Sequence, residues 1–224
     1  MSRGYFITGT DTGVGKTLVS AALLHAFAAQ GMRVVGMKPV AAGCEWRDGE
    51  PYWEDVAQLQ AASNVAAPLA SRNPYRFDPP IAPHIAAAQA GVRIDIATLC
   101  QAYRDLQHDA DAVIVEGAGG FCVPLNESDT MADLAQQLDL PVILVVAMRL
   151  GCINHALLTV QAIASQGLML AGWVANQPGP AMPFMAENLA ALQQRIAAPL
   201  LGVLPHLNSA APQALSLRLQ IDAL

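Results

Sequence analysis

Two stretches of this chain, Ala112-Val113-Ile114-Val115 and Val142-Ile143-Leu144-Val145-Val146, are aliphatic without alternation. A strand with one wet face reads apolar then polar. A strand apolar at every position needs cover on both faces, the condition of parallel strands inside a helix-coated sheet. The rest of the chain agrees. Tyr5-Phe6-Ile7-Thr8, Arg33 to Lys38, Leu168 to Ala175 and Leu200 to Leu204 read as further strands. Helical spacing marks Lys16 to Gln30, Trp53 to Gln60, Cys152 to Gln166 and Met182 to Ile196, and Gly31 stands where a glycine ends a helix. Parallel strands need crossover connections, so the expected fold is α/β: a doubly wound, mostly parallel sheet flanked by helices. No internal repeat breaks the 224 residues, and residues 1–224 are expected to form one domain.

The strongest local signal is Gly9-Thr10-Asp11-Thr12-Gly13-Val14-Gly15-Lys16-Thr17, which follows a strand and opens a helix. In that context a glycine-rich turn presents backbone N–H groups to phosphate, and the helix N-terminus adds partial positive charge. Lys16 is placed to reach the β- and γ-phosphates of a nucleotide, with the Thr17 hydroxyl on Mg²⁺. The first glycine is Gly9 where the usual spacing puts it at position 10, so the loop is one residue longer than the common form.

Carboxylates are the next requirement. Glu116 ends an aliphatic strand and runs into Gly117-Ala118-Gly119-Gly120, where an acidic metal ligand belongs in a phosphate-loop protein. Asp55 is a second candidate; its spacing fits a solvated helix residue equally well. The chain has only two lysines, Lys16 and Lys38, and Lys38 closes the second strand on the same carboxyl edge. A net charge of −6 leaves no electrostatic footprint for nucleic acid, so cations for an anionic substrate have to be concentrated locally, as these are. Lys38 is thus expected to serve the reaction and to matter little for stability. The irregular excursion from Ala41 to Pro83 is expected to wall the site.

Apolar residues make up 54% of the chain and charged ones 13%, which excludes disorder. Four scattered cysteines without a C-x-x-C pair argue against a zinc site or a disulfide framework. With no signal-peptide core in Met1 to Thr17, the expected compartment is a reducing cytoplasm. Leu150 to Ala186 carries no Asp, Glu, Lys or Arg, yet Asn154, His155, Gln161, Ser165 and Gln166 interrupt it too often for a membrane span. It reads as a buried helix and strand, in the core of one subunit or at a subunit interface.

The ordered set of the phosphate loop, Lys38-Pro39-Val40, Val115 to Gly120, Gly151-Cys152-Ile153-Asn154-His155 and Trp173-Val174-Ala175-Asn176 resembles the dethiobiotin synthetase family, whose phosphate loop has this longer form. The resemblance implies closure of a cyclic urea on 7,8-diaminononanoate with CO₂, ATP and Mg²⁺, through a carbamate and a carbamic–phosphoric anhydride. It implies that Lys16 and Lys38 clamp the transferring phosphoryl group, and that Thr17, Asp55 and Glu116 hold magnesium. Thr12, Gly13, Val14, Gly15 and Leu18 are implied on the nucleotide, with Gly117, Ala118 and Gly119. Asn176 is implied at the adenine, helped by Pro205, His206 and Leu207. For the diamine it implies Thr12, Lys38 and Ala42, and, from the neighbouring subunit of a homodimer, Gly151, Cys152, Ile153 and Asn154.

This chain departs from the family pattern in four places. Gly13 replaces a glutamate that members can carry, Ala42 lacks a common hydroxyl, and Arg149 stands where lysine is usual. Leu207 to Gln213 offers no acid for the ribose. Three rival readings fit less well. A partition-type ATPase would carry a lysine where Asp11 stands, an amidoligase would need a glutamine-hydrolysing domain, and a nucleotide kinase would need an arginine-rich lid.

Overall fold

The computed structural model describes residues 2–180, 182–206 and 211–224. In chain order the elements are β1 (Arg3–Gly9), α1 (Lys16–Ala29), β2 (Val34–Met37), β3 (Val40–Ala42), β4 (Glu45–Arg47), β5 (Glu50–Tyr52), α2 (Glu54–Ala62), α3 (Leu69–Arg72), β6 (Tyr75–Phe77), α4 (Pro83–Gln89) and α5 (Ile96–Gln107). They continue with β7 (Ala112–Gly120), α6 (Met131–Leu138), β8 (Val142–Ala147), α7 (Cys152–Ser165), β9 (Leu170–Asn176), α8 (Met185–Gln193), β10 (Leu200–Leu204), α9 (Pro212–Ser216) and a 3₁₀ turn at Ile221–Ala223.

Six strands form one parallel sheet in the order β10-β9-β8-β1-β7-β2. β1 lies between β7 and β8, so the strand order reverses there, and crevices open at such a reversal beyond the carboxyl ends of the strands. Every residue of β8 is buried, as its unbroken aliphatic run requires. One face of the sheet packs Phe6, Val113 and Val115 with Leu99, Tyr103 and Leu134 of α5 and α6. The other packs Ile7, Ile114 and Val145 with Leu23, Leu24 and Phe27 of α1. A third apolar cluster joins Leu144, Val146 and Trp173 to α7 and α8.

Local chemistry sets several boundaries. α6 begins with a capping box in which the Thr130 hydroxyl accepts from the Asp133 N–H while the Asp133 carboxylate accepts from the Thr130 N–H. α5 begins at Asp95, whose carboxylate accepts from the Thr98 N–H at 2.9 Å. β2 stops before Pro39, which has no N–H for a ladder.

The structure corrects three expectations. β7 continues through Gly120, because Gly117 to Gly120 stay alongside β1 as far as Gly9. α8 starts at Met185 rather than Met182, since Pro183 and the left-handed Phe184 (φ 55°) delay it. The uncharged stretch is not buried along its length within one chain. Of α7 only Cys152, Ala156 and Ile163 are buried, while Leu150 is 95%, Leu158 56% and Phe184 74% exposed. Among the described residues, no helix is long and apolar enough to cross a membrane.

Candidate active site

The glycine loop leaves β1 and turns into α1 through Gly13 (φ 71°) and Gly15 (φ 92°). Gly15 is under double constraint. Its φ is left-handed, and a Cβ there would lie 2.1 Å from the Asn176 Nδ2. Asn176 ends β9 directly beneath the loop, 1% exposed, and donates from Nδ2 to the Val14 carbonyl at 2.8 Å. Its Oδ1 is buried and has no partner among the described residues. Val14 anchors the loop from inside, fully buried in the cluster that holds α1.

Lys16 is buried, and its Nζ donates to the Asp11 carbonyl at 3.0 Å. Asp11 is itself tied down. Its carboxylate accepts from the Thr12 N–H at 2.7 Å and pairs with Arg149 at 2.8 Å. The sequence had no signal for that pair, which joins the phosphate loop to the segment before α7. Burial, helped by the neighbouring positive charge of Lys38, lowers the Lys16 pKa to about 8.

Across the crevice the acids and the second lysine interlock. Lys38 Nζ is 2.6 Å from Glu116 Oε1 and 2.9 Å from Asp55 Oδ2. The Thr17 hydroxyl donates to the same Glu116 Oε1 at 2.9 Å. Burial alone would push the Lys38 ammonium toward neutrality, but the two carboxylates outweigh it and hold the pKa above the ordinary lysine value. Glu116 is 1% and Lys38 6% exposed. The expectation that Lys38 matters little for stability is therefore corrected: its ammonium neutralises a carboxylate sealed in the protein. Asp55, at the first turn of α2, is paired to this cluster and is not a free helix-surface residue.

A cavity of about 640 Å³ opens over these groups. Thr12, Gly13, Gly15, Lys16 and Thr17 form its floor, and Lys38, Asp55, Glu116, Ala118 and Gly119 one flank. Val40, Ala42, Pro80, Ile81, Ala82, Pro83 and Val123 complete an apolar wall. The excursion from Ala41 to Pro83 thus does wall the crevice. The particular contributions of Ile81 and Val123 escaped the sequence, because single apolar residues in loops carry no periodic signal. Leu18 lines an adjoining hollow with Gly43, Glu54 and Gln58. Gly117 is packed on Phe6 and lies outside the cavity lining.

Other candidates lie apart. Gly151, Cys152, Ile153 and Asn154 start α7 and do not line this cavity; Cys152 is buried and Asn154 exposed. Pro205 and His206 follow β10, while Leu207 lies outside the described residues. Thr17, Asp55 and Glu116 place one hydroxyl and two carboxylates together, and Glu116 Oε2 is buried without a partner among the described residues. Hard oxygen donors of this number suit Mg²⁺, which is commonly bound by one or two carboxylates together with substrate phosphates.

A glycine loop between β1 and α1, at the strand-order reversal of a parallel sheet, defines a P-loop nucleotide-binding protein. Solved structures share this fold: the septum site-determining protein MinD complexed with Mg-ADP from Pyrococcus horikoshii has a TM-score of 0.57 at 18% identity, over 92% of this chain and 82% of that one. The MinC:MinD cell division protein complex of Aquifex aeolicus has 0.55 at 14%, over 92% and 82%. A family model described as an AAA domain matches residues 3–214. The ATP-dependent dethiobiotin synthetase BioD of Nitrosospira multiformis is 58% identical over 92% of this chain and 89% of its own length. The enzyme of the same name from Aromatoleum aromaticum is 58% identical over 97% of each. The chain belongs to the dethiobiotin synthetase family.

Proposed function

We propose that residues 1–224 work as a single ligase domain that forms dethiobiotin from 7,8-diaminononanoate, CO₂ and ATP in biotin biosynthesis. The observation that carries this reading is the convergence of both lysines of the chain, with Thr17, Asp55 and Glu116, on one cavity with an apolar wall.

The chemistry requires a carbamate oxygen, already anionic, to attack an anionic γ-phosphorus. Positioning and charge neutralisation dominate such a transfer. Lys38 stays protonated throughout the neutral range and supplies a fixed positive charge beside the attacking oxygen. Lys16, with a pKa near 8, is mostly charged at pH 7; it leaves the Asp11 carbonyl for the phosphate oxygens. Backbone N–H groups of Thr12 to Thr17, continuing to Leu18, cradle the phosphates. Bound by Thr17, Asp55 and Glu116, Mg²⁺ would offset charge on the triphosphate. Loss of ADP leaves the carbamic–phosphoric anhydride; the second amine then attacks its carbonyl carbon, the C–O bond to phosphate breaks and the urea ring closes.

The Oδ1 of Asn176, without a partner among the described residues, suits the amino group of adenine, with Pro205 and His206 beside the base. Val40, Ala42, Ile81 and Val123 suit the alkyl chain, with Thr12 at its polar end, while Ala118 and Gly119 on the cavity flank suit the nucleotide. Leu150, Leu158 and Phe184 are exposed apolar residues of the uncharged stretch, which suits a homodimer interface. In that arrangement the N-terminal turn of α7, with Gly151, Cys152, Ile153 and Asn154, faces the carboxylate of diamine held by the partner subunit. Free cysteines at positions 44, 100, 122 and 152 suit a reducing cytoplasm.

The test is phosphate release from ATP with and without diaminononanoate and bicarbonate. The expected result is turnover that needs all three. Hydrolysis indifferent to the diamine overturns the reading.

A further inference from the structure

We infer that Asn73 is a positioning residue for Lys38, an inference that rests on the phosphoryl-clamping role proposed for that lysine. β2 ends at Met37, and from Lys38 onward the chain leaves the six-stranded sheet for β3, which pairs with β6 instead. The Lys38 peptide groups therefore find partners in the segment between α3 and β6. The Lys38 N–H donates to the Arg72 carbonyl at 2.8 Å, and the Lys38 carbonyl accepts from Asn73 Nδ2 at 2.6 Å. The second amide hydrogen of Asn73 goes to the Tyr75 carbonyl at 3.1 Å, while the Tyr75 N–H returns to the Pro39 carbonyl at 3.2 Å. Lys38 is thus held on both sides of its Cα by one short segment, and its ammonium is delivered at 2.6 Å to Glu116.

Asn73 is fully buried, and its Oδ1 has no partner among the described residues. An unsatisfied buried acceptor is a cost. It is incurred here by the side chain that fixes the only lysine on the acidic flank of the cavity. The other polar side chains along β2 differ. Asn64 Oδ1 accepts from the Val34 N–H at 2.7 Å and Ser63 Oγ from the Gly36 N–H at 2.9 Å. They cap outward N–H groups of an edge strand, Asn64 at the end away from the crevice. Asn64 is therefore the built-in control for a merely structural effect.

The experiment compares Asn73→Ala and Asn64→Ala in the full chain, with and without Lys38→Ala. Displacing a reacting group by about 1 Å costs on the order of 100-fold, so Asn73→Ala is expected to lower kcat about 10- to 100-fold with KM for ATP nearly unchanged. In the Lys38→Ala background the same change is expected to cost nothing further, because positioning an absent lysine has no value. A second readout needs no turnover. Acetic anhydride labelling of the lysines, read by peptide mass, should show Lys38 modified several-fold faster in Asn73→Ala and unchanged in Asn64→Ala, with Lys16 as internal reference. Should the alanine variant not fold, Asn73→Asp keeps the shape and removes both donors. Unaltered kcat and Lys38 labelling in Asn73 variants overturn the inference, as does an equal loss in the Lys38→Ala background. If Lys38→Ala itself turns over normally, the clamping role fails, and the labelling rate alone then decides where Asn73 holds the lysine.

Discussion

Replacing Lys38 by methionine separates its two duties. The ammonium lies 2.6 Å from Glu116 and 2.9 Å from Asp55, with side-chain exposures of 7% for Lys38, 1% for Glu116 and 27% for Asp55. Asp55 keeps some solvent when the cation is removed. Glu116 keeps almost none, and stripping one partner from a buried pair costs about 3–5 kcal/mol. For a chain of this size about 1 kcal/mol moves Tm by about 2–4 °C, so the ligand-free variant is expected to melt about 6–20 °C lower. The pH dependence follows from the raised pKa. A lysine whose folded pKa exceeds its unfolded value contributes fully below the unfolded value of 10.5 and loses that contribution only as pH climbs through the folded one. The lysine's own contribution in the parent protein should therefore be the same at pH 6 and pH 9. Adding Glu116→Gln removes the stranded charge and is expected to restore most of the lost stability, while activity stays lower by on the order of 10²–10³. The assay is thermal unfolding of the three proteins at both pH values. A Lys38→Met protein that melts within 1–2 °C of the parent would refute the assignment of the pair as a buried structural charge, whatever happened to turnover.

Lys16 behaves in the opposite sense: with a folded pKa near 8 it gives up its proton before the unfolded chain does, so ligand-free stability should rise between about pH 8 and 10. Nucleotide binding at pH 8.5 should then take up a proton, which calorimetry in buffers of different ionisation enthalpy would reveal; zero uptake contradicts the assignment. Gly15→Ala should cost about 1–3 kcal/mol from its left-handed φ alone and weaken ATP binding further by displacing Asn176, as titration and unfolding would show. Leu158→Asp should leave the fold intact and shift the mass in sedimentation from dimer to monomer; a monomeric parent chain sinks the interface reading.

Much of this was legible because it depends on local rules. The aliphatic runs of β7 and β8, the glycine loop before α1 and the placement of Lys38 after β2 are each readable within ten residues. What escaped depends on distant parts of the chain meeting. Arg149 finds Asp11 across 138 positions, and Asn73 finds Lys38 across 35. Neither residue has a spacing that announces a partner. The uncharged stretch misled in a different way. Lack of charge is shared by cores and by interfaces, and the exposure of Leu158 and Phe184 shows that this stretch is not core along its length. Asp55 was undecided from spacing, and its ion pair with Lys38 excludes only the reading of a free helix-surface residue.

The insertion of β7 between β1 and β2 also dictates when the catalytic crevice can exist. Strands β1 and β2 do not touch in the finished sheet; each is zipped onto β7, whose residues are made more than seventy positions later than those of β2. A nascent chain emerging from the ribosome holds its phosphate loop and both lysines long before the strip that brings them side by side, and parallel pairing over such distances is slow. Until that strip arrives, the apolar flanks of β1 and β2 stand bare, and this is the interval in which the protein would most need a chaperone.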